Sequence, residues 1–474
     1  ERYKNVVRHW EIWNEPDLDG FWGGYWGENG LVTGSGKANP GEYMELLKAG
    51  YAGAKDADPS AFVMTAGVSG AACMQDYQFD FIRAMYAQGA AEHSDALAVH
   101  PYALPRGPEF KSCERKLAGL RRLMAANGDA QKPIWFTETG WIGSGVLPAS
   151  YAVRANVILA GVPHGGPIFY YNLRDSDTTK PDQQYGILRM DYTPKVAYGA
   201  YAAMTNMLED AEFVAKWDLP AALRAYAFQR GSDCVVVAWN AADESVVLPT
   251  NLPERVIVHD LMGNATTHRA GIELGAAPIY LVVPEGVKLA DVRRLLTDAQ
   301  LPPPPLWAEG GTAMQSFEAE GWRCTLTLGQ EFPGAQGELV RDTSTFRGGR
   351  SAARLSGDFE AGGGYIGLME TFPAPVALKA IRFWVKTASV DGVGLRLVDV
   401  TGQTHQWHLV LKETTDWQPV ELHDLVSPHG HWGGVADGRW HGQASAMSIL
   451  LTNTSILDGG KNATVWLDTA EVAP

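Results

Sequence analysis

Cysteine is scarce in this chain: four residues in 474, Cys73, Cys113, Cys234 and Cys324. No two stand at the short spacing of a zinc or iron–sulfur motif, so a cysteine-built metal centre is excluded. Cys234 lies in the apolar run Cys-Val-Val-Val-Ala-Trp and reads as a buried thiol. Cys73 and Cys113 each follow a strand-like stretch, and a disulfide between them on one loop face is expected of an exported chain. Long apolar runs are missing too. None reaches the roughly 20 residues of a membrane-spanning helix, and no signal peptide is visible; removal of a signal would fit a secreted or periplasmic protein. Positive charge is in deficit: 39 Lys and Arg against 54 Asp and Glu leave a net −15. That balance argues against nucleic acid or an anionic membrane as a partner.

What the chain has instead is aromatic residues, 16 Trp and 17 Tyr among them. Two stretches set them around acids. Trp10 to Asp17 reads Trp-Glu-Ile-Trp-Asn-Glu-Pro-Asp. An apolar run broken only by Glu11 predicts a short buried strand, and Pro16, with no N–H to donate, must end it. Asn14 and Glu15 are left at the strand's C-terminal tip. Pro133 to Trp141 repeats the device, an apolar strand delivering Glu138 ahead of Gly140 and Trp141. In parallel α/β barrels such tips carry the chemistry. Two strand-end glutamates suit glycosidic bond cleavage, one as general acid/base and one as nucleophile. Tryptophan faces stack on sugar rings and dry the acid, which raises its pKa.

These motifs resemble clan A of the glycoside hydrolases, retaining enzymes on a (β/α)8 TIM barrel, and in particular family 39. The resemblance implies that Asn14-Glu15 closes barrel strand four and Glu138 strand seven. Glu15 is then the acid/base, Glu138 the nucleophile, and Asn14 a contact to a sugar 2-hydroxyl. His100-Pro101-Tyr102 ends strand six, where the clan places a His or Tyr beside the nucleophile, so His100 and Tyr102 take supporting roles. Tyr170, Tyr171 and Asn172 end strand eight, where the clan often has an aromatic beneath the cleaved sugar. Phe21, Trp22, Tyr25 and Trp26, on the glycine-rich loop 18–37, read with Trp141 as a sugar-binding wall. Tyr185-Gly-Ile-Leu-Arg and Thr193-Pro-Lys resemble the segment after strand eight in family 39. No cofactor or catalytic metal is expected.

Periodicity fills in the rest of an α/β domain over 1–208. Helices are predicted at 40–57, 76–88, 111–127, 149–161 and 193–207, alternating with strands at 10–15, 62–69, 96–102, 133–138 and 168–172. Five strands number four to eight, which makes a partial barrel. Only Glu1 to His9 precedes them, so the clan's first three strands are absent. An open half-barrel exposes unpaired strand edges, and a second polypeptide is expected to cover them, a homo-oligomer partner if the chain is complete. Residues 209–300 read as a small β-sandwich with strands at 223–229, 234–240, 255–260 and 279–283 and a helix from Leu289 to Ala299. Leu301-Pro-Pro-Pro-Pro-Leu306 is a stiff linker, set over 301–314. Residues 315–474 read as an all-β jelly roll, with strands at 380–387, 394–399, 407–411, 417–422, 446–453 and 463–472. They resemble a carbohydrate-binding module of the galactose-binding-like type, which implies a possible structural calcium at Glu318 and Asp468. The loop 423–440, with His429, His431, Trp432 and Trp440, is a candidate sugar-binding edge. The expected activity is retaining hydrolysis of β-glycosidic bonds. The alternative is a carbohydrate-binding protein or incomplete barrel with little turnover unless another chain completes it.

Overall fold

The computed structural model describes residues 2–473 apart from 5, 23–36, 70–78, 105–106, 112, 178, 181–182, 220–222, 242–244, 249–251, 267–270, 298–311, 316, 319–322, 412–414, 424, 427 and 458–459. It divides into two compact units, Glu1–Met74 with Asp80–Pro302, and Gln75–Phe79 with Pro303–Pro474.

The first unit opens with strand and helix in alternation: β1 (His9–Glu11), α1 (Pro40–Ala57), β2 (Phe62–Met64), α2 (Asp80–Tyr86), β3 (Leu97–Val99), α3 (Cys113–Ala126), β4 (Ile134–Thr139), α4 (Val146–Ala160), β5 (Gly165–Tyr170) and α5 (Val196–Leu208). The five strands are parallel and stand in chain order. β1 pairs β2 from His9↔Phe62 to Glu11↔Met64. Bridges Met64↔Ala96 and Val68↔Val99 carry the order on to β3, which pairs β4, which pairs β5. Parallel neighbours cannot be joined by a tight turn, so a long crossover intervenes at each step. β3 is buried along its whole length, as a strand covered on both faces must be.

Helix α1 shows how local chemistry fixes one of these steps. The Asn39 side chain accepts the Gly41 and Glu42 amides at 2.9 and 3.3 Å, a cap that contributes about 1 kcal/mol. Pro40 starts the helix, Glu42 sits against its positive end, and Tyr43, Met44 and Leu47 form the buried face. Tyr43 then ties the helix to two strands. Its hydroxyl donates to Ile12 O at 3.3 Å and accepts the Ala66 amide at 2.6 Å.

The first strand is shorter than its apolar run predicts, and it is not buried as expected: His9 and Glu11 are exposed and only Trp10 is half-buried. Trp13 and Glu15 both have left-handed backbones, φ 79° and 44°, conformers that cost about 1–3 kcal/mol each and cannot continue a ladder. Past Glu11 the chain is held by the Asn14↔Gly67 bridge and by the Glu15 amide donating to Gly67 O at 3.1 Å. α2 is likewise shorter than the expected 76–88, of which 76–78 lie outside the described residues. The expected Cys73–Cys113 disulfide also lies outside them, since Cys73 does; Cys113 is buried at the start of α3.

After α5 the first unit becomes antiparallel. β6 (Glu212–Asp218), β7 (Leu223–Arg230), β8 (Asp233–Asn240), β9 (Val246–Leu248), β10 (Ile257–His259), β11 (Ala265–Thr266), β12 (Ile272–Leu274) and β13 (Ile279–Val283) are followed by the helix α6 (Leu289–Thr297). Six form one sheet in the order β11-β10-β13-β8-β7-β6, and β9 pairs β12. Trp217, Val236, Leu281 and, from α6, Val292 and Leu296 share one core. A buried ion pair pins this part to the helices. Arg154 of α4 meets Glu109 side by side, and Glu109 also accepts Trp239 Nε1 at 2.6 Å.

The second unit is two antiparallel sheets. Its strands are β14 (Thr312–Gln315), β15 (Thr325–Thr327), β16 (Gln336–Asp342), β17 (Ala352–Asp358), β18 (Tyr365–Ala377), β19 (Ala380–Lys386), β20 (Gly392–Asp399), β21 (Gln403–Val410), β22 (Gln418–Leu422), β23 (Gly430–Gly433), β24 (Gln443–Thr452) and β25 (Asn462–Ala473). One sheet runs β16-β17-β25-β19-β22 with β14 on β25; the other runs β15-β18-β24-β20-β21-β23. Phe383 and Leu467 from the first and Leu395, Trp407 and Ile449 from the second bury into one core. Three expectations need correction. β15 to β18 were not anticipated before residue 380. β23 lies within the stretch 423–440 that reads as loop. Residues 312–314 belong to a strand rather than to the linker, because β14 pairs the last strand from Thr312↔Val472.

Candidate functional site

The parallel order of β1 to β4 brings the C-terminal tips of β1, β3 and β4 together, and with them Glu15, His100, Tyr102 and Glu138. His100 Nδ1 lies 2.8 Å from Glu15 Oε1 and 3.8 Å from Glu138 Oε2. The Tyr102 hydroxyl donates to Glu138 Oε2 at 3.0 Å. One atom from each of Glu15, His100 and Glu138 lies within 4.8 Å of the others, so the two carboxylates are in reach of a single small group. His100 is 1% exposed, Glu15 13% and Glu138 28%. Burial first, then the charge of Glu138, push the Tyr102 phenol far above its usual range. It therefore stays protonated and keeps donating. Glu15, His100 and Glu138 are the donor set among the described residues that could hold a cation. Their atoms are already engaged with one another and with Tyr102.

Behind these groups lies a second row that sequence reasoning missed. His100 Nε2 is 3.2 Å from Thr137 Oγ1. The Thr137 hydroxyl donates to Glu11 Oε1 at 2.9 Å, and the Gly67 amide donates to the same oxygen at 2.6 Å. Glu11 is exposed on β1, yet the protein crowded around its carboxyl, with the charge of Glu138, raises it above the ordinary value; the bonds from Thr137 and Gly67 oppose this. Gly67 is glycine for want of room, since a Cβ there would fall 2.0 Å from His100 Nε2. Asp17 accepts the Ser69 amide at 2.9 Å and also binds the Ser69 hydroxyl, which fastens the loop after β1 to the end of β2. One signal pointed to the second row: a lone carboxylate, Glu11, inside an apolar strand.

The expected aromatic wall is distributed otherwise. Trp26 lies outside the described residues, as does Tyr25. Trp22 is half-buried, donates Nε1 to Glu42 Oε2 at 2.9 Å, and meets Trp13 edge-on at 5.9 Å. Trp13, 54% exposed, is an aromatic beside Asn14 that the reading did not single out. Trp141 is 2% exposed in a small core with Tyr151 and Ala155, not on an open wall. Tyr170 turns toward Tyr201 of α5, ring centroids 5.8 Å apart; burial pushes its phenol up to about 12. Tyr185 instead stands near the carboxylates, 6.0 Å from the Tyr102 ring and 5.5 Å from Tyr171. Asn14 is exposed. Asn172 Oδ1 is buried with no hydrogen-bond partner among the described residues, an acceptor that a ligand hydroxyl would satisfy.

In the second unit Glu318 accepts the Arg350 amide at 2.9 and 3.0 Å, and Asp468 accepts those of Arg347 and Gly348 at 2.7 and 3.1 Å. Both acids thus hold one loop through its N–H groups, which a calcium ion would have to displace. Trp432 is exposed next to Arg396, whose guanidinium lies 5.1 Å from its ring centre. Trp440 is half-buried and packs against the core. His431 is exposed and His429 half-buried; the His429 ring nitrogen Nδ1 accepts the His408 amide at 2.7 Å.

No protein-family model and no curated protein matches the chain. Solved structures do resemble it. A family 39 glycoside hydrolase from Bacteroides cellulosilyticus WH2 is 21% identical over 60% of this chain and 59% of its own, TM-score 0.49. A family 30 subfamily 8 xylanase from Clostridium acetobutylicum is 12% identical over 60% and 67%, TM-score 0.40. A family 86 β-porphyranase from Bacteroides plebeius is 10% identical over 98% and 77%, TM-score 0.45. All three are glycoside hydrolases, and the chain spans about three-fifths of the family 39 structure's length. None of these three TM-scores reaches 0.5, so these likenesses decide neither family nor substrate.

Proposed function

We propose that the protein is a retaining glycoside hydrolase that cleaves β-glycosidic bonds of an oligo- or polysaccharide. The observation that carries the reading is the pair of strand-end carboxylates, an oxygen of Glu15 and one of Glu138 lying within 4.8 Å. A retaining pair stands about 5–5.5 Å apart, whereas an inverting pair needs about 6.5–9.5 Å to admit water. In this reading Glu138 attacks the anomeric carbon while Glu15 protonates the leaving oxygen. Glu15 then takes a proton from water, which releases the sugar from Glu138. Tyr102 orients the nucleophile and Asn172 receives a sugar hydroxyl. The five βα units are part of a TIM barrel, 209–300 is an accessory β-sandwich, and the second unit is a carbohydrate-binding jelly roll. No cofactor enters the chemistry, and the protein is secreted or periplasmic.

The second reading, a binder with little turnover until another chain completes the barrel, draws on the sheet's outer strand. Phe169 of β5 and the adjoining Tyr171 and Leu173 are exposed, a surface suited to a second copy of the chain. Aryl β-glycosides decide between the two. Turnover with retained anomeric configuration, followed by proton NMR, supports the hydrolase, and its loss in Glu138→Gln supports the nucleophile. Glu15→Gln should slow poor leaving groups far more than activated ones. Inverted product refutes the mechanism; no turnover with measurable sugar binding favours the second reading.

A further inference from the structure

The hydrogen-bond row behind the carboxylates has a direction. Glu11 Oε1 receives two donors, the Gly67 amide and the Thr137 hydroxyl. The Thr137 proton is spent there, so its oxygen can only accept from its other neighbour, His100 Nε2 at 3.2 Å. His100 must therefore carry a proton on Nε2. The assignment holds for Glu11 as a carboxylate, or as an acid with its proton on the other oxygen, the arrangements in which Oε1 accepts both donors. In neutral imidazole the second nitrogen, Nδ1, is then bare, and it faces Glu15 Oε1 at 2.8 Å. While the imidazole is neutral, a bare nitrogen that close to a carboxyl oxygen needs the proton on Glu15.

We propose that Glu11 and Thr137 are positioning residues that fix the His100 tautomer and so hold Glu15 in its acid form. This rests on the reading of Glu15 as acid/base. The opposite tautomer, with the proton on Nδ1, would donate to Glu15 and favour its ionised form, which cannot protonate a leaving group. The fixed tautomer also serves the second step. Once Glu15 has given up its proton, the Nδ1 lone pair faces a carboxylate and favours its taking a proton back from water. Glu15 and Glu138 face His100 at Nδ1, Thr137 (backed by Glu11) faces it at Nε2, and the Tyr102 ring meets it edge-on at 6.4 Å.

The test is the tautomer itself. Long-range proton–nitrogen NMR on the full chain, with His100→Asn to assign the signals, should show His100 protonated at Nε2 and bare at Nδ1. Thr137→Val keeps the shape and removes the acceptor, and should erase that preference; Thr137→Ser should restore it. In kinetics, Thr137→Val and Glu11→Ala should lower kcat/KM on poor leaving groups by about tenfold or more, part of the ~10²–10⁴ a general acid supplies. Activated aryl glycosides should lose less than about threefold, since they need little protonation. Glu11→Gln, which keeps the accepting oxygen, should behave like Thr137→Ser. A merely structural role would slow both substrate types alike. A wild-type His100 protonated at Nδ1, or a tautomer unmoved in Thr137→Val, overturns the proposal. Wild-type protein inert on every glycoside refutes the hydrolase reading instead, and the NMR result still decides the tautomer.

Discussion

Adding one methyl group at residue 67 puts the whole site to the test. The Cβ of Gly67→Ala would stand 2.0 Å from His100 Nε2, 2.5 Å from its Cδ2 and 2.7 Å from Thr137 Oγ1. None of these can be relieved by the flexible end of a long side chain, because His100 is buried and held at both nitrogens. Either the ring moves or the Gly67 backbone does, and the Gly67 backbone bonds both Glu11 and Glu15. Overpacking of this kind costs about 1–3 kcal/mol, which in a unit of this size lowers Tm by about 2–10 °C. A catalytic group displaced by about 1 Å loses on the order of 10²-fold in rate, so kcat/KM should fall by at least that much. Calorimetry should show only the first unit's transition moving. Gly53→Ala is the matched control. Gly53 lies inside α1 with open space around its missing Cβ, and an alanine there should stabilise by about 0.5–1 kcal/mol. A Gly67→Ala protein with wild-type kcat/KM and an unmoved transition would show that His100 does not stand against residue 67.

Arg154→Met leaves Glu109 charged and buried without its partner, and urea unfolding should show the first unit losing about 3–5 kcal/mol; a loss under about 1 kcal/mol would refute that role. Residues 303–474 expressed alone should melt in one cooperative, β-rich transition, and a fragment starting at Gln315 should melt lower because it lacks most of β14; an unfolded longer fragment would refute the boundary. The Asp399–His441 pair, 2.7 Å apart, gives the second unit a pH dependence. Burial would push Asp399 up, but hydrogen bonds from Thr401, His441 and His405 outweigh it and hold the carboxyl well below its usual range. The same bond raises His441, burial opposing it. A raised histidine contributes stability that is complete below its unfolded value near ~6.5 and lost as pH rises through the folded one. The second unit's Tm should therefore decline as pH rises above about 6.5, and His441→Gln should flatten the curve; an identical slope in that variant would remove His441 as the cause.

The elements that could be read were those written in adjacent residues. Pro40 and the apolar spacing after it mark α1 at both ends, and Pro16 marks where the first strand must have stopped. The strand stopped sooner because Trp13 and Glu15 turn left-handed, where the chain is held by Gly67, more than fifty residues away. The second row was hidden for the same reason: Glu11, Gly67, His100 and Thr137 are neighbours only through the parallel order of the strands. Trp141 looked like a wall because a tryptophan after a catalytic-looking acid says nothing about which face it takes. In the second unit β18 escaped notice because Pro373 and Pro375 interrupt it where its register shifts, between Thr371 and Val376, and proline reads as a strand stop. β16 lies at a sheet edge with polar residues on view, which weakens its apolar signal.

The pairing of β14 with β25 has a mechanical side. Thr312 faces Val472, so the stretch from β14 to β25 begins and finishes at the same end of one ladder. A tensile load on the two termini would open that ladder bond by bond, as a zipper opens, rather than shear all its bonds at once. The unit should yield at low force, beginning with β14. Closely spaced ends also suit transplantation: the unit could be joined end to end and reopened at an exposed turn, or set into a surface loop of another protein, without its sheets having to part.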